Sequence, residues 1–123
     1  MNYKFVLLDN ESGQGKAAWV LPLPVTVGRS EGNQIVIGHP SISRRHCQFF
    51  NDPDGALVVR DFDSMNGLYV EEQRVKRSVL RPGIVIQIGG VSMRVEWTND
   101  PITENPVTID ASGNVTQPLQ RSD

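Results

Sequence analysis

Short apolar runs, each cut off within a few positions by Gly, Pro, Asn or Asp, recur along nearly all of the first hundred residues. A helix needs apolar positions every third or fourth residue over about ten residues or more, and these runs are too short and too often broken. Residues 3–8 are rich in β-branched and aromatic side chains and end in 9–15, a polar loop with two glycines, before 19–21 resume. That arrangement predicts a hairpin. Further strand-like runs cover 25–27, 35–37, 47–50, 57–59, 68–70, 84–88 and 91–97. Residues 51–55 (Asn-Asp-Pro-Asp-Gly) and Gly89-Gly90 are turn signals between neighbouring runs, and 71–73 separate a further hairpin-like pair. In the last run Val91, Met93, Val95 and Trp97 alternate with Ser92, Arg94 and Glu96, the period of a half-buried strand. About ten short strands with turn-rich spacing imply an all-β protein, a sandwich or a barrel.

With 123 residues, 11 Gly and 8 Pro, the chain has the size of one domain with its own core. A net charge of -2 and a pI near 5.6 argue against a general nucleic-acid binder, which wants a basic face. Cys47 is the single cysteine, so no internal disulfide can form, and its apolar setting predicts a small buried hydrophobe. The apolar stretch 5–8 is interrupted by Asp9 and is far too short for a signal sequence or a membrane span. A soluble, cytoplasmic, monomeric protein is expected. From Thr98 onward aromatics vanish while Pro101, Pro106 and Pro118 stand among Asn, Thr, Ser and Asp. Residues 98–123 are therefore expected to be a disordered tail or linker beyond a domain at 1–97, with only a weak strand signal at 107–109. Thr103, Thr108 and Thr116 of that tail are sites where a kinase could act.

Three polar clusters sit on turns between the runs: Gly28-Arg29-Ser30, residues 41–46 (Ser-Ile-Ser-Arg-Arg-His) and residues 63–67 (Asp-Ser-Met-Asn-Gly). They offer guanidinium forks, hydroxyls, an amide and turn N–H groups, the groups that hold a phosphate and the peptide bearing it. Arg29, placed after a glycine, can present its planar fork to two phosphate oxygens, or simply be solvated or paired with Glu31. Ser43 offers a hydroxyl, and its turn a small nest of N–H groups. Arg44 and Arg45 should diverge, so at most one reaches the same site as Arg29. His46, directly before an apolar strand, reads as a hydrogen-bonded structural residue. Asn66-Gly67 is first a turn, and its amide can also grip an extended backbone. Neither a metal-ligand set nor a cofactor motif accompanies them. Residues 13–17 evoke a phosphate-binding loop but lack its upstream Gly and its Ser/Thr after Lys16. Asn10-Glu11-Ser12 and Asn114-Val115-Thr116 are glycosylation sequons that matter only in a secreted chain.

The order and spacing of these clusters, with 33–37 before the second and 80–89 after the third, resemble the signature of forkhead-associated (FHA) domains over residues 3–97. The resemblance implies a two-sheet β-sandwich of about ten to eleven strands whose loops at one end bind phosphothreonine peptides. It implies Arg29 and Ser43 as principal phosphate ligands, Arg44 as a secondary ligand of phosphate or peptide backbone, and Asn66 as the residue bonding the peptide main chain. Gly28, His46, Ser64 and Gly67 become loop supports, with Ser30 and Met65 as peripheral contacts. A small apolar recess beside the phosphate would accept the threonine methyl and disfavour phosphoserine. Met65 stands where the family often has Thr, Lys or Arg, and Leu68 where it usually has Thr.

The leading expectation is thus a non-enzymatic, phosphothreonine-dependent module in Ser/Thr kinase signalling, with phosphoprotein partners and neither nucleic acid nor membrane. A phosphate-independent interaction or assembly module is the alternative, motivated by the apolar Met65 and Leu68. A hydrolase built on Ser43, His46 and Asp61 is the third and weakest, since strand or loop spacing need not bring those side chains together.

Overall fold

Every apolar run of the sequence becomes a strand, because a short amphipathic or apolar segment can satisfy its backbone only by pairing with a neighbour. The computed structural model describes residues 2–103 and 107–110. It contains twelve strands and, among the described residues, no helix. They are β1 (Asn2–Leu8), β2 (Gly15–Leu21), β3 (Val25–Gly28), β4 (Ile35–Ile37), β5 (Cys47–Asn51) and β6 (Leu57–Asp61). Then come β7 (Leu68–Val70), β8 (Gln73–Arg74), β9 (Arg77–Leu80), β10 (Val85–Ile88), β11 (Val91–Thr98) and β12 (Val107–Ile109). Two six-stranded sheets result, ordered β2-β1-β11-β10-β7-β8 and β12-β4-β3-β5-β6-β9. The fold is a β-sandwich.

The expected hairpins are present. β1 and β2 pair antiparallel around the 9–15 loop, β5 and β6 around 52–56, and β10 and β11 around Gly89-Gly90. β7 and β8 turn on Glu71 and Glu72, both with positive φ (52° and 68°). Positive φ at both central residues is the geometry that matches strand twist, reached here without the usual Asn-Gly pair. Alternating side chains of both sheets point inward. Phe5 of β1 meets Phe49 of β5 edge-to-face at 5.2 Å between ring centroids, both fully buried. Cys47 lies in the same core as expected, and burial, then the nearby Asp61 charge, pushes its thiol up.

The tail boundary needs correcting. β11 runs through Thr98, and β12 at 107–109 pairs parallel with β4. β4 has only three residues, and β12 covers the edge that β3 leaves open, with Gly38 N–H donating to Ile109 O at 2.6 Å and Val107 N–H to Gln34 O at 2.9 Å. Thr103 likewise covers the β2 edge: its N–H donates to Val20 O and its Oγ1 accepts from Val20 N–H. Bare strand edges invite foreign strands, and these contacts cover two of them. Residues 104–106 and 111–123, including Thr116, lie outside the described residues. No helix among the described residues is long and apolar enough to cross a membrane.

Candidate functional site

The three polar clusters meet at one end of the sandwich, on the β3–β4, β4–β5 and β6–β7 loops. Backbone bonds lock the first two together. Arg29 N–H donates to Ser43 O (2.9 Å) and Ser30 N–H to Arg44 O (3.2 Å). Arg44 O also accepts from Ser30 Oγ at 3.0 Å and from Asn33 Nδ2 at 3.0 Å. Gly28 is required at this seam: a Cβ there would stand 2.1 Å from Arg44 O and 2.7 Å from Asn33 Nδ2. Only a residue without a side chain lets the loops close this tightly.

His46 joins the second loop to the third. It is fully buried, Ser43 N–H donates to its Nδ1 at 3.1 Å, and its Nε2 faces Gly67 O at 2.8 Å. The Nε2–H tautomer satisfies both contacts at once. Gly67 O accepts a second bond from Gly89 N–H at 3.0 Å, which brings the β10–β11 turn into the same assembly. Gly67 itself has φ of 91°, with the Arg74 guanidinium packed where a side chain would go. Ser64, nearly buried, donates its hydroxyl to Asp61 Oδ1 (2.6 Å) and takes Gly67 N–H on its Oγ (3.0 Å). Asp61 Oδ2 accepts Ser64 N–H at 3.0 Å. The β6–β7 loop is thereby folded on itself before any ligand arrives.

Above this base lie the groups with capacity to spare. Arg29 is exposed, and its Nε donates to Ile42 O at 3.0 Å. That bond orients the guanidinium through Nε, and its terminal nitrogens make no hydrogen bond among the described residues. None of the ion pairs among the described residues involves Arg29, so the alternative of a pair with Glu31 is not realised. Ser43 Oγ accepts Met65 N–H at 3.1 Å, which ties the second loop to the third and keeps the hydroxyl proton for another acceptor. Asn66 is exposed and fixed by one amide N–H on Ser41 O at 2.9 Å, leaving its carbonyl oxygen and second N–H. Arg44 is exposed beside them.

Several expectations change in detail. The nest of free N–H groups expected in the second loop is partly spent, since Ser43 N–H already serves His46. Ser30 gives its hydroxyl proton to Arg44 O, so it shapes the first loop in place of reaching a ligand from the periphery. Arg45 turns to the Phe62 ring, with its guanidinium 4.5 Å from the centroid. Met65 is 83% exposed at the rim. Ser43, His46 and Asp61 form no relay: the imidazole takes a backbone N–H from Ser43, not its hydroxyl, and Asp61 serves Ser64.

Three residues of this assembly escaped the sequence reading. Asn33 stood only within residues 33–37 of the resemblance, with no role of its own, yet it is buried and bridges Ser30 O and Arg44 O. Ser41 holds Asn66 through its carbonyl and Gly90 N–H through its hydroxyl (2.8 Å), while its hydroxyl also meets His39 Nδ1 at 2.8 Å. Arg74, from the short β8, reaches Ser64 O at 3.3 Å. Only the density of polar residues in 39–46 hinted at Ser41, and nothing local marked Arg74.

A family model described as the FHA domain matches residues 25–89, a span that holds all three loops. The chain belongs to the FHA domain family. It is 36% identical over 72 residues to an ABC transporter ATP-binding/permease protein of Mycobacterium tuberculosis, covering 58% of this chain and 8% of that one. It is also 36% identical over 74 residues to the oxoglutarate dehydrogenase inhibitor of Corynebacterium diphtheriae, covering 59% of this chain and 51% of the inhibitor. The chain thus spans about half or less of the length of these curated relatives. Among solved structures it matches an FHA domain studied for phosphothreonine-dependent interactions, with a TM-score of 0.66, 25% identity, and coverage of 80% of this chain and 98% of that one.

Proposed function

We propose that this FHA domain is a non-enzymatic reader of phosphothreonine in partner proteins, working downstream of a Ser/Thr kinase. The observation that carries the reading is the convergence of three differently anchored groups on one rim. Arg29 is held by Ile42 O, the Ser43 hydroxyl by Met65 N–H, and the Asn66 amide by Ser41 O. Groups fixed before binding lose little entropy when a ligand arrives. Phosphothreonine brings about -1.5 to -2 charge at pH 7 and three strong acceptor oxygens. The Arg29 fork neutralises that charge through two parallel bonds, the Ser43 hydroxyl donates a third, and Arg44 adds positive potential from the side. Asn66, with one donor and one acceptor still open, pairs with the peptide main chain beside the phosphoresidue and sets its register.

Titration of a degenerate phosphothreonine peptide library against its unphosphorylated counterpart tests this. Binding of the phosphorylated form alone supports it, and equal binding of both forms sinks it. Phosphoserine peptides should bind more weakly than phosphothreonine ones. Affinity should also fall as pH drops below about 6, where the phosphate takes up its second proton and loses charge that Arg29 needs.

The 83% exposure of Met65 favours one other reading, a phosphate-independent assembly surface at the same end. Arg29→Ala separates the two, since it removes a phosphate ligand and leaves an apolar contact at Met65 intact.

A further inference from the structure

A second group of arginines stands outside the loop platform, on the outer face of the second sheet. Register places Arg60 of β6 opposite Gln48 of β5 and Arg77 of β9. Each guanidinium in this region lies over an aromatic ring. Arg45 is 4.5 Å from the Phe62 centroid, Arg60 is 5.0 Å from Phe62 and 5.9 Å from Phe50, and Arg77 is 5.3 Å from Phe50. The result is a ladder, Arg45–Phe62–Arg60–Phe50–Arg77, crossing the sheet. Stacking over a ring engages one face of a guanidinium and leaves its N–H edges in the plane, open to acceptors.

Among the described residues, no carboxylate forms an ion pair with this ladder. The ion pairs among the described residues are Lys4–Glu96, Arg94–Glu96, Lys76–Asp63 and Arg81–Glu71, and none includes Arg45, Arg60 or Arg77. Glu31 lines the same hollow as Arg45 but forms no ion pair with it. Arg60 Nε makes a 3.3 Å bond to the neutral Gln48 Oε1, which steers it without neutralising it. Three uncompensated cations on one face of a chain with net charge -2 are a local excess. The ladder also starts at the platform, since Arg45 directly follows Arg44.

We propose that this ladder is a docking surface for an acidic stretch of the same partner segment whose phosphothreonine occupies the loop rim. The inference rests on the phosphothreonine reading above and extends it to a class of partner. Crossing β5, β6 and β9 covers two inter-strand spacings, about 10 Å, which an extended chain spans in about three to four residues. The favoured partner therefore carries a short Asp/Glu-rich run close to its phosphothreonine. A nucleic acid fits less well, because single strands bind by stacking bases on open rings and here guanidiniums cover the rings.

Fluorescence anisotropy on the whole chain tests this with three sets of phosphothreonine library peptides: Ser/Gly flanks, an N-terminal run of about four Glu, or a C-terminal run of about four Glu. One Glu-flanked set should bind roughly tenfold more tightly than the Ser/Gly set at low salt, as expected for a few exposed charge pairs together. That gain should largely vanish at about 0.5 M salt. The double variant Arg60→Gln/Arg77→Gln should lose the gain while binding the Ser/Gly set as the wild type does. Equal binding of all three sets, a gain that survives in the double variant, or competition by an oligouridylate for this face overturns the proposal. Binding of the Ser/Gly set no better than its unphosphorylated form overturns the phosphothreonine reading itself, and the docking surface with it.

Discussion

The base and the rim of the loop platform use the same residue types to opposite ends. In the base, Asn33, His46 and Ser64 are buried, and their polar atoms are bonded within their own loop or to a neighbouring one. At the rim, Arg29, Ser43 and Asn66 each spend one contact on the protein and keep the rest. One amide thus braces while another reads, and burial decides which. A buried polar group must find all its partners within the fold, because leaving one unpaired costs about 1–3 kcal/mol. An exposed one can wait for a ligand. Changes in the base should therefore act on stability first, and changes at the rim on binding alone.

The largest effect is expected at the rim. Arg29→Ala should cost roughly 2–5 kcal/mol of phosphopeptide affinity, since it leaves a desolvated phosphate charge uncompensated, while thermal unfolding stays close to the wild type. Calorimetric titration beside a melting curve separates the two quantities. In the base, His46→Ala leaves Ser43 N–H and Gly67 O without their buried partner and opens a void, so it should lower folding stability by about 3 kcal/mol. Gly28→Ala should cost about as much, because its new Cβ has no room beside Arg44 O. Chemical denaturation measures both, and an unchanged midpoint for either would break the division between base and rim.

Smaller changes refine the rim. Asn66→Ala should weaken phosphopeptide binding by about 1–1.5 kcal/mol, one peptide-directed hydrogen-bonding group, with stability nearly unchanged. Met65→Arg should tighten binding by about 0.5–1 kcal/mol, adding a cation where the side chain is already solvent-exposed. If the assembly reading holds, Met65→Arg weakens partner capture instead. Smallest of all, Cys47 in the folded protein should stay unreactive toward a thiol reagent near pH 8, because burial holds the thiol protonated. Rapid labelling of the folded protein would place that strand outside the core.

The fold was legible where local pattern and tertiary role agree. β11 announces itself through alternation, and the β5–β6 hairpin through Asn-Asp-Pro-Asp-Gly, because each is dictated within a few residues. β9 and β12 were harder for the same reason. Arg77–Leu80 has one buried residue and lies at a sheet edge, and β12 exists because β4 offers it an open edge, which no local signal records. In the platform, Arg29, Ser43 and Asn66 stood out because guanidinium, hydroxyl and amide groups on turns suggest a ligand. Asn33 and Ser41 did not, since Asn33 depends on the Arg44 carbonyl and Ser41 on the Asn66 amide and the Gly90 N–H, all in other loops. Arg74 and the arginine–phenylalanine ladder lie further from local pattern still, for cross-strand register alone brings their members together.

The most direct measurement is a backbone and arginine side-chain amide spectrum recorded by NMR during titration with a phosphothreonine peptide. The largest shifts should fall on Arg29, Ser43, Arg44 and Asn66, including the Arg29 Nε–H. Resonances of the hydrogen-bonded base, such as the Gly67 amide, should move little, and the unphosphorylated peptide should produce none of these changes. Shifts centred away from these loops, or the same shifts from the bare threonine peptide, would contradict it.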